Sequence, residues 1–299
     1  MKLRDVVEFE FFQHAAEWLD GVRMVKAYQT YRNYKVVIDA AKKYQEHSGM
    51  VWDVEYLDHS FIDGFIKYLI LDLRLQYSTL NKYLSILKMF LGDTYPGRDF
   101  SFVASTGLRE KVVWIHSGEL LLLKDIELDA PWDRIRDLFL FMATTGMRYV
   151  DTQRYDSDWL MDDEDNYVEY TQLQPGRASY TVLKGTPEEI LKAYNGAPPV
   201  MEEASYVNGL RALLHNLDMV RQVSAWEEVK GKKVLLRKPL AFAVDKHTGR
   251  QTYIMQLLTN NVPIAKAMEY AGHYDYKTFT PYIIPSRRYV TEQLSRLQF

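Results

Sequence analysis

Five residues in this 299-residue chain have types and spacings that suit chemistry on a phosphate: Arg148, His247, Arg250, His273 and Tyr282. Arg148 closes the run Thr144-Thr145-Gly146-Met147-Arg148. His247 and Arg250 are three apart and share one face of a helix. His273 follows Arg250 by 23 residues, and Tyr282 follows His273 by nine. A tyrosine hydroxyl, with an ordinary pKa of about 10, attacks only when something takes its proton or stabilises its charge. Two guanidiniums match the paired oxygens of a phosphodiester and stabilise the extra charge of a pentacoordinate transition state. A histidine titrating near neutrality accepts and returns the tyrosine proton. Taken singly, each residue has an ordinary structural reading: Arg148 as an ion-pair partner of Asp151, the histidines as capping or core residues, Tyr282 as one of 22 tyrosines. The combination carries the inference.

The rest of the chain must position these groups. No cysteine is present, which removes disulfides, thiolate catalysis and thiolate metal sites, so the nucleophile is an oxygen. With 47% hydrophobic and 26% charged residues, the composition is that of a folded globular protein, long enough for two domains. No window approaches the roughly 20 apolar residues of a membrane-spanning helix, and no apolar signal core follows Met1, so a cytoplasmic location is expected. The net charge of −3 predicts weak non-specific binding to nucleic acid, although a basic face can coexist with an acidic remainder.

The first hundred residues read as helical. An aromatic-rich stretch at 6–19 precedes one in which Tyr31, Tyr34, Ile38, Ala41 and Tyr44 recur at helical spacing, as core positions do. Ser78 is positioned to cap a helix with an apolar stripe of Leu80, Tyr83, Leu84, Leu87 and Leu91. Its other face carries Asn81, Lys82, Ser85 and Lys88, either solvated or laid against DNA. Turn formers and charges between 92 and 113 mark a linker. Ser117 is expected to cap a helix starting near Gly118, and an apolar segment at 132–145 stops at Gly146. Residues 167–173 and 179–183 are β-prone around Pro175-Gly176, which predicts a hairpin. Helices resume at Pro187-Glu188-Glu189 and over 206–216, and the basic run Lys230, Lys232, Lys233, Arg237 and Lys238 reads as a solvated loop.

These residues resemble the tyrosine recombinases, or phage integrases. The family's pattern is a first Arg in a Thr-Gly-x-Arg turn, then His-x-x-Arg, then Gly-His, then Tyr nine further on. It is met by Arg148, His247, Arg250, Gly272-His273 and Tyr282, with Asp151 as the usual acid three after the first Arg. The register at Arg250 needs no gap downstream, whereas reading Lys246-His247-Thr248 as the family's Arg-His-Thr lengthens the distance to His273 by four. The resemblance spans roughly residues 110–290. It implies a mainly α fold with a small β-hairpin or sheet, made of a helical core-binding domain at 1–108 and a mixed α/β catalytic domain at 109–299.

The resemblance further implies that Tyr282 forms a 3′-phosphotyrosyl bond with DNA and releases a 5′-hydroxyl, with no metal or nucleotide cofactor. It implies a double-stranded partner with an inverted-repeat core site, four protomers around two duplexes, and DNA contact from Lys82, Ser85 and Lys88. A short helix after Tyr282, ending at Phe299, is expected to dock on a neighbouring protomer. The length leads us to expect a simple-site enzyme of a mobile element, without an arm-binding domain. Two positions depart from the pattern. The family's hairpin lysine, general acid for the leaving 5′-oxygen, aligns with Gln174, which leaves Arg177 or Lys184 to compensate. Position 251, often a second histidine, is Gln251, a difference expected to matter less. Gln174 and the acidic pI keep open a DNA-binding protein with impaired cleavage. The shared Arg, His and Tyr chemistry keeps open a nick-and-reseal enzyme of the type IB topoisomerase kind, over which the helical first domain and the C-terminal tail favour a recombinase.

Overall fold

The computed structural model describes residues 3–103, 111–162, 167–173, 178–229 and 232–296. Two compact units result, one of residues 1–108 with 227–234, the other of 109–226 with 235–299.

The first unit is built on four helices, α1 (Leu3–Val25), α2 (Tyr28–Ser48), α3 (His59–Leu71) and α4 (Tyr77–Thr94). The period-3.6 pattern places Ile38, Ala41 and Tyr44 of α2 in the core, with Tyr31 and Tyr34 packed at its margin. Trp52 is completely buried among them, its indole N–H donating to the Ala41 carbonyl at 2.8 Å. Asp58 caps α3 by accepting from the Phe61 N–H at 2.8 Å. Leu80, Leu84, Leu87 and Leu91 of α4 are buried, while Lys82, Ser85 and Lys88 are exposed. The helix starts one residue before the expected cap. Gln76 takes the N-cap position without a side-chain bond, so Ser78 stands inside the helix, which burial of its leucines holds in place of a cap.

The second unit is centred on α6 (Trp132–Thr145), whose residues 138–143 are all buried. Around it lie α5 (Ser117–Asp125), α7 (Tyr149–Thr152), α8 (Thr186–Ala193), α9 (Glu203–Asn216) and α10 (Leu240–Ala243). They are joined by α11 (Thr248–Thr259), α12 (Ile264–Tyr270) and α13 (Tyr276–Arg296). Helix α11 packs directly on α6: a side chain at Gly249 would place its Cβ 2.7 Å from the Met142 Cβ. Strands β1 (Leu160–Asp162), β2 (Tyr167–Thr171) and β3 (Ala178–Val182) form an antiparallel sheet with β2 central, in register Tyr167↔Val182 to Thr171↔Ala178. The predicted hairpin is therefore present, with β1 added at its edge.

Three expectations are corrected beyond residue 110. Helix α5 begins at Ser117 with His116 as its N-cap, because Glu119 reaches back to accept the His116 backbone N–H at 2.7 Å and is itself held by Arg221 at 2.7 Å. The basic run is not a loop. Lys232–Pro239 is strand β5, paired with β4 (Gln222–Val229), where inward Val223 and Ala225 alternate with exposed Gln222 and Ser224. Lys230 lies outside the described residues, as do residues 104–110 of the expected linker. The segment after Tyr282 is no separate short helix either, since α13 runs unbroken from Tyr276 to Arg296 through Pro281 and Pro285. Burial of Phe279, Ile283 and Ser286 along one stripe, against a satellite core with Ile254, Ala267 and Ala271, carries it through both prolines. Among the described residues no helix is long and apolar enough to cross a membrane.

Candidate active site

A cleft of ≈ 380 Å³ in the second unit is lined by Arg148, His247, Arg250, His273 and Tyr282, which the sequence spreads over more than 130 residues. Each is aimed by a local feature. Helix α6 ends at Gly146 in the left-handed region (φ 72°), and a Cβ there would lie 2.4 Å from the Tyr253 ring, so only glycine fits the turn that turns the chain toward Arg148. Arg148 then sits extended before α7 and donates from Nη1 to the side-chain oxygen of Gln172.

Asp151, the expected acid, does not pair with Arg148. Its completely buried carboxylate accepts from Arg154 at 2.8 Å and from the Leu173 backbone N–H at 2.9 Å, which fastens α7 to the end of β2. The guanidinium of Arg154 in turn lies 5.0 Å over the Trp159 ring. Arg148 therefore keeps a neutral acceptor and an uncancelled charge toward the cleft.

Arg250, three residues into α11 and 5% exposed, joins the two turns that frame the site. It donates from Nη1 to the Gly146 carbonyl at 2.7 Å and from Nη2 to the Ala271 carbonyl. Burial and the neighbouring Arg148 pull its pKa down to about 10, which leaves it cationic at neutral pH. His247 is the residue before α11, exposed, with its backbone N–H on Asp245 at 2.8 Å. The two share the cleft, but one is its floor and the other its rim.

Gly272 precedes His273 at φ 58°, where a Cβ would lie 1.9 Å from Gln172 Nε2 and 2.8 Å from Ser179 Oγ. The Tyr274 hydroxyl donates to the Ala178 carbonyl, tying this turn to β3. His273 packs its ring 5.9 Å from that of Tyr282 and 5.3 Å from Phe279. Burial, Arg250 and Arg148 lower its pKa to about 3. The near-neutral histidine expected from sequence is thus not His273, which burial, together with two adjacent guanidiniums, holds in its neutral form. Its Nδ1 is buried and makes no hydrogen bond among the described residues, as is true of Gln172 Nε2 and Asp151 Oδ2.

Lys184 is exposed beyond β3, at the end away from the hairpin turn, and does not line the cleft. Gln174 and Arg177 lie outside the described residues. Lys82 and Ser85, in the other unit, line a separate surface groove beside Tyr34 and Met89. Sequence reasoning missed Lys111, Trp226 and Asp245, which also line the cleft, and Gln172 beneath it. Only Gln172 left a signal, since Val168, Tyr170 and Gln172 continue one inward period-2 face. Gln251 proves structural: it lines the cleft and its side-chain oxygen accepts the Val113 backbone N–H at 3.0 Å. Among the described residues no group of three or more His, Asp or Glu side chains is placed to hold a metal.

Residues 9–95 match the family model of the phage integrase SAM-like domain. Among solved structures, the chain resembles the Tn1549 transposon integrase in complex with transposon right end DNA at 15% identity and a TM-score of 0.60, covering 95% of this chain and 98% of that one. It resembles a lambda integrase dimer bound to a core site at 14% identity and a TM-score of 0.56, covering 91% and 76%. XerH site-specific recombinase bound to a palindromic difH substrate matches at 14% and 0.56, covering 91% and 81%. No curated protein matches the chain in sequence. At these identities the structural likeness establishes the fold.

Proposed function

We propose that this chain, which has the tyrosine recombinase fold and a first domain matching the phage integrase model, is a site-specific DNA recombinase that cuts and rejoins strands through Tyr282. The observation that carries the reading is the convergence of Arg148, Arg250, His247, His273 and Tyr282 on one cleft. That the similar Tn1549, lambda and XerH structures are complexes with DNA supports DNA as the partner.

In this reading Arg148 and Arg250 bind the non-bridging oxygens of the scissile phosphate, and their charge grows more effective as the phosphorane forms. The Tyr282 hydroxyl oxygen attacks phosphorus, the bond to the 5′-oxygen breaks, and a 3′-phosphotyrosyl link with a free 5′-hydroxyl results. Neutral His273 donates a hydrogen bond to the phosphate. His247, at the solvent rim, takes the tyrosine proton and returns it on rejoining. Attack by a 5′-hydroxyl from another strand exchanges partners at little cost, because the link conserves the bond energy. Four protomers on two duplexes with inverted-repeat core sites form the working assembly. Lys82, Ser85 and Lys88 on α4 track the phosphate backbone from the first domain, and the distal part of α13 docks on a neighbour.

The test is covalent capture. Nicked suicide duplexes of a site that the protein is first shown to bind are expected to trap wild-type protein on DNA, and Tyr282→Phe to trap none. An adduct that persists in Tyr282→Phe rejects the nucleophile. A wild-type protein that shifts the duplex in a gel yet forms no adduct is a DNA-binding protein on this scaffold.

A further inference from the structure

The leaving 5′-oxygen departs as an alkoxide unless a proton meets it, and the hairpin position where a lysine was expected is Gln174. We infer that Lys111 is the proton donor to this oxygen, an assignment that rests on the recombinase reading above. Lys111 lines the same cleft as Arg148, Arg250, His273 and Tyr282, and it contributes the one ammonium group among the described residues of the lining.

Its placement is built rather than incidental. The segment 111–116 is pinned to α11 by two consecutive helix residues: Gln251 Oε1 accepts the Val113 N–H at 3.0 Å, and Thr252 Oγ1 accepts the Ile115 N–H at 3.0 Å. These two immediately follow Arg250, so one turn of helix holds both the buried phosphate ligand and the segment that carries Lys111. On the other side the Tyr289 ring of α13 packs 4.8 Å from His116 and 6.3 Å from Trp114. Both helices that supply catalytic groups therefore fix this segment. Lys111 and Val113, two residues apart, both line the cleft, as alternate residues of an extended segment do. The two departures from the family pattern become one arrangement, in which Gln251 anchors the segment whose lysine replaces the one absent at Gln174.

The other cationic groups suit the step less well. Arg148 is committed to Gln172 and Arg250 to the Gly146 and Ala271 carbonyls, and both are assigned to the non-bridging oxygens. Lys246 is engaged with Glu203 at 2.7 Å, and Lys184 is remote from the cleft. In the proposed step the Tyr282 oxygen bonds to phosphorus, the P–O5′ bond breaks, and O5′ takes a proton from Lys111 Nζ. On rejoining, the neutral amine recovers that proton from the attacking 5′-hydroxyl.

The experiment compares full-length wild type, Lys111→Ala, Lys111→Arg and Arg177→Ala on two nicked duplexes, identical except that one has sulfur in place of the scissile 5′-bridging oxygen. A thiolate leaves without a proton. Both Lys111 variants are expected to form adduct about 10²–10⁴ times more slowly than wild type on the oxygen duplex. On the sulfur duplex they should regain the wild-type rate, because the thiolate needs no general acid and the contribution of about 10²–10⁴ from one is no longer at stake. Lys111→Arg keeps the charge, so the same rescue in that variant separates proton donation from electrostatic attraction. Equal slowing on both duplexes, or full activity of Lys111→Ala on oxygen, overturns the assignment, as does rescue seen only with Arg177→Ala. Wild type inert on both duplexes rejects the recombinase reading itself.

Discussion

Arg148 is held by Gln172, a neutral amide, and not by the buried carboxylate of Asp151 three residues away. A carboxylate in that place would cancel much of the charge that Arg148 presents to the cleft. An amide fixes the guanidinium and leaves its charge intact. Because Gln172 also fills the space below Gly272, the first arginine and the turn carrying His273 are set by one side chain.

Gln172→Leu removes the acceptor while keeping the bulk, and Gln172→Glu keeps the acceptor but adds charge. We expect both to slow adduct formation, by about a hundredfold, which is what a misplacement near 1 Å costs. Their DNA affinity should change little. Single-turnover adduct rates beside gel-shift affinities check this, and a loss confined to affinity would count against a positioning role.

Gly272→Ala must displace Gln172 and Ser179 and adopt a left-handed backbone angle. The expected loss of stability is about 1–3 kcal/mol, measured as a lower denaturation midpoint with an unchanged slope. A midpoint equal to that of wild type would show that the turn has room the geometry denies.

The pKa of His273, lowered to about 3, makes stability depend on pH in a defined direction. Above about pH 6.5 the ring is neutral in both folded and unfolded chains and contributes no slope. Below that, the unfolded chain binds a proton that the folded one refuses. Stability contributed by keeping the ring neutral is therefore lost as pH falls from about 6.5 toward 3, by up to about 1.4 kcal/mol per pH unit. Ring resonances of His273 should not move between about pH 5 and 8 in an NMR titration, and His273→Gln should flatten the acid limb of the stability curve. A midpoint near 6.5 would contradict the two-arginine environment.

Much of the site was legible before folding because its geometry is local. The Gly146 stop aims Arg148, three residues carry the chain from His247 to Arg250, and nine carry it from His273 to Tyr282. Residue type and spacing along the chain suffice to recognise such a set. The β4–β5 pair was not legible, since Lys232, Lys233, Arg237 and Lys238 make β5 read as a solvated loop and the alternation of Val223 and Ala225 in β4 is short. Helix α13 likewise conceals its continuity behind Pro281 and Pro285, which burial overrides.

By itself the sequence singled out the groups proposed for the chemistry: an oxygen nucleophile, two permanent cations and two imidazoles, each placed by short-range geometry. Only the tertiary structure decided how those groups behave. Lys111 reaches the cleft through a hydrogen bond between Val113 and Gln251, 138 residues apart. Arg148 finds Gln172 rather than Asp151, and His273 loses its proton because burial and two guanidiniums meet around it. Electrostatics and steric fit act through space over a few ångströms, and distance along the chain does not encode them.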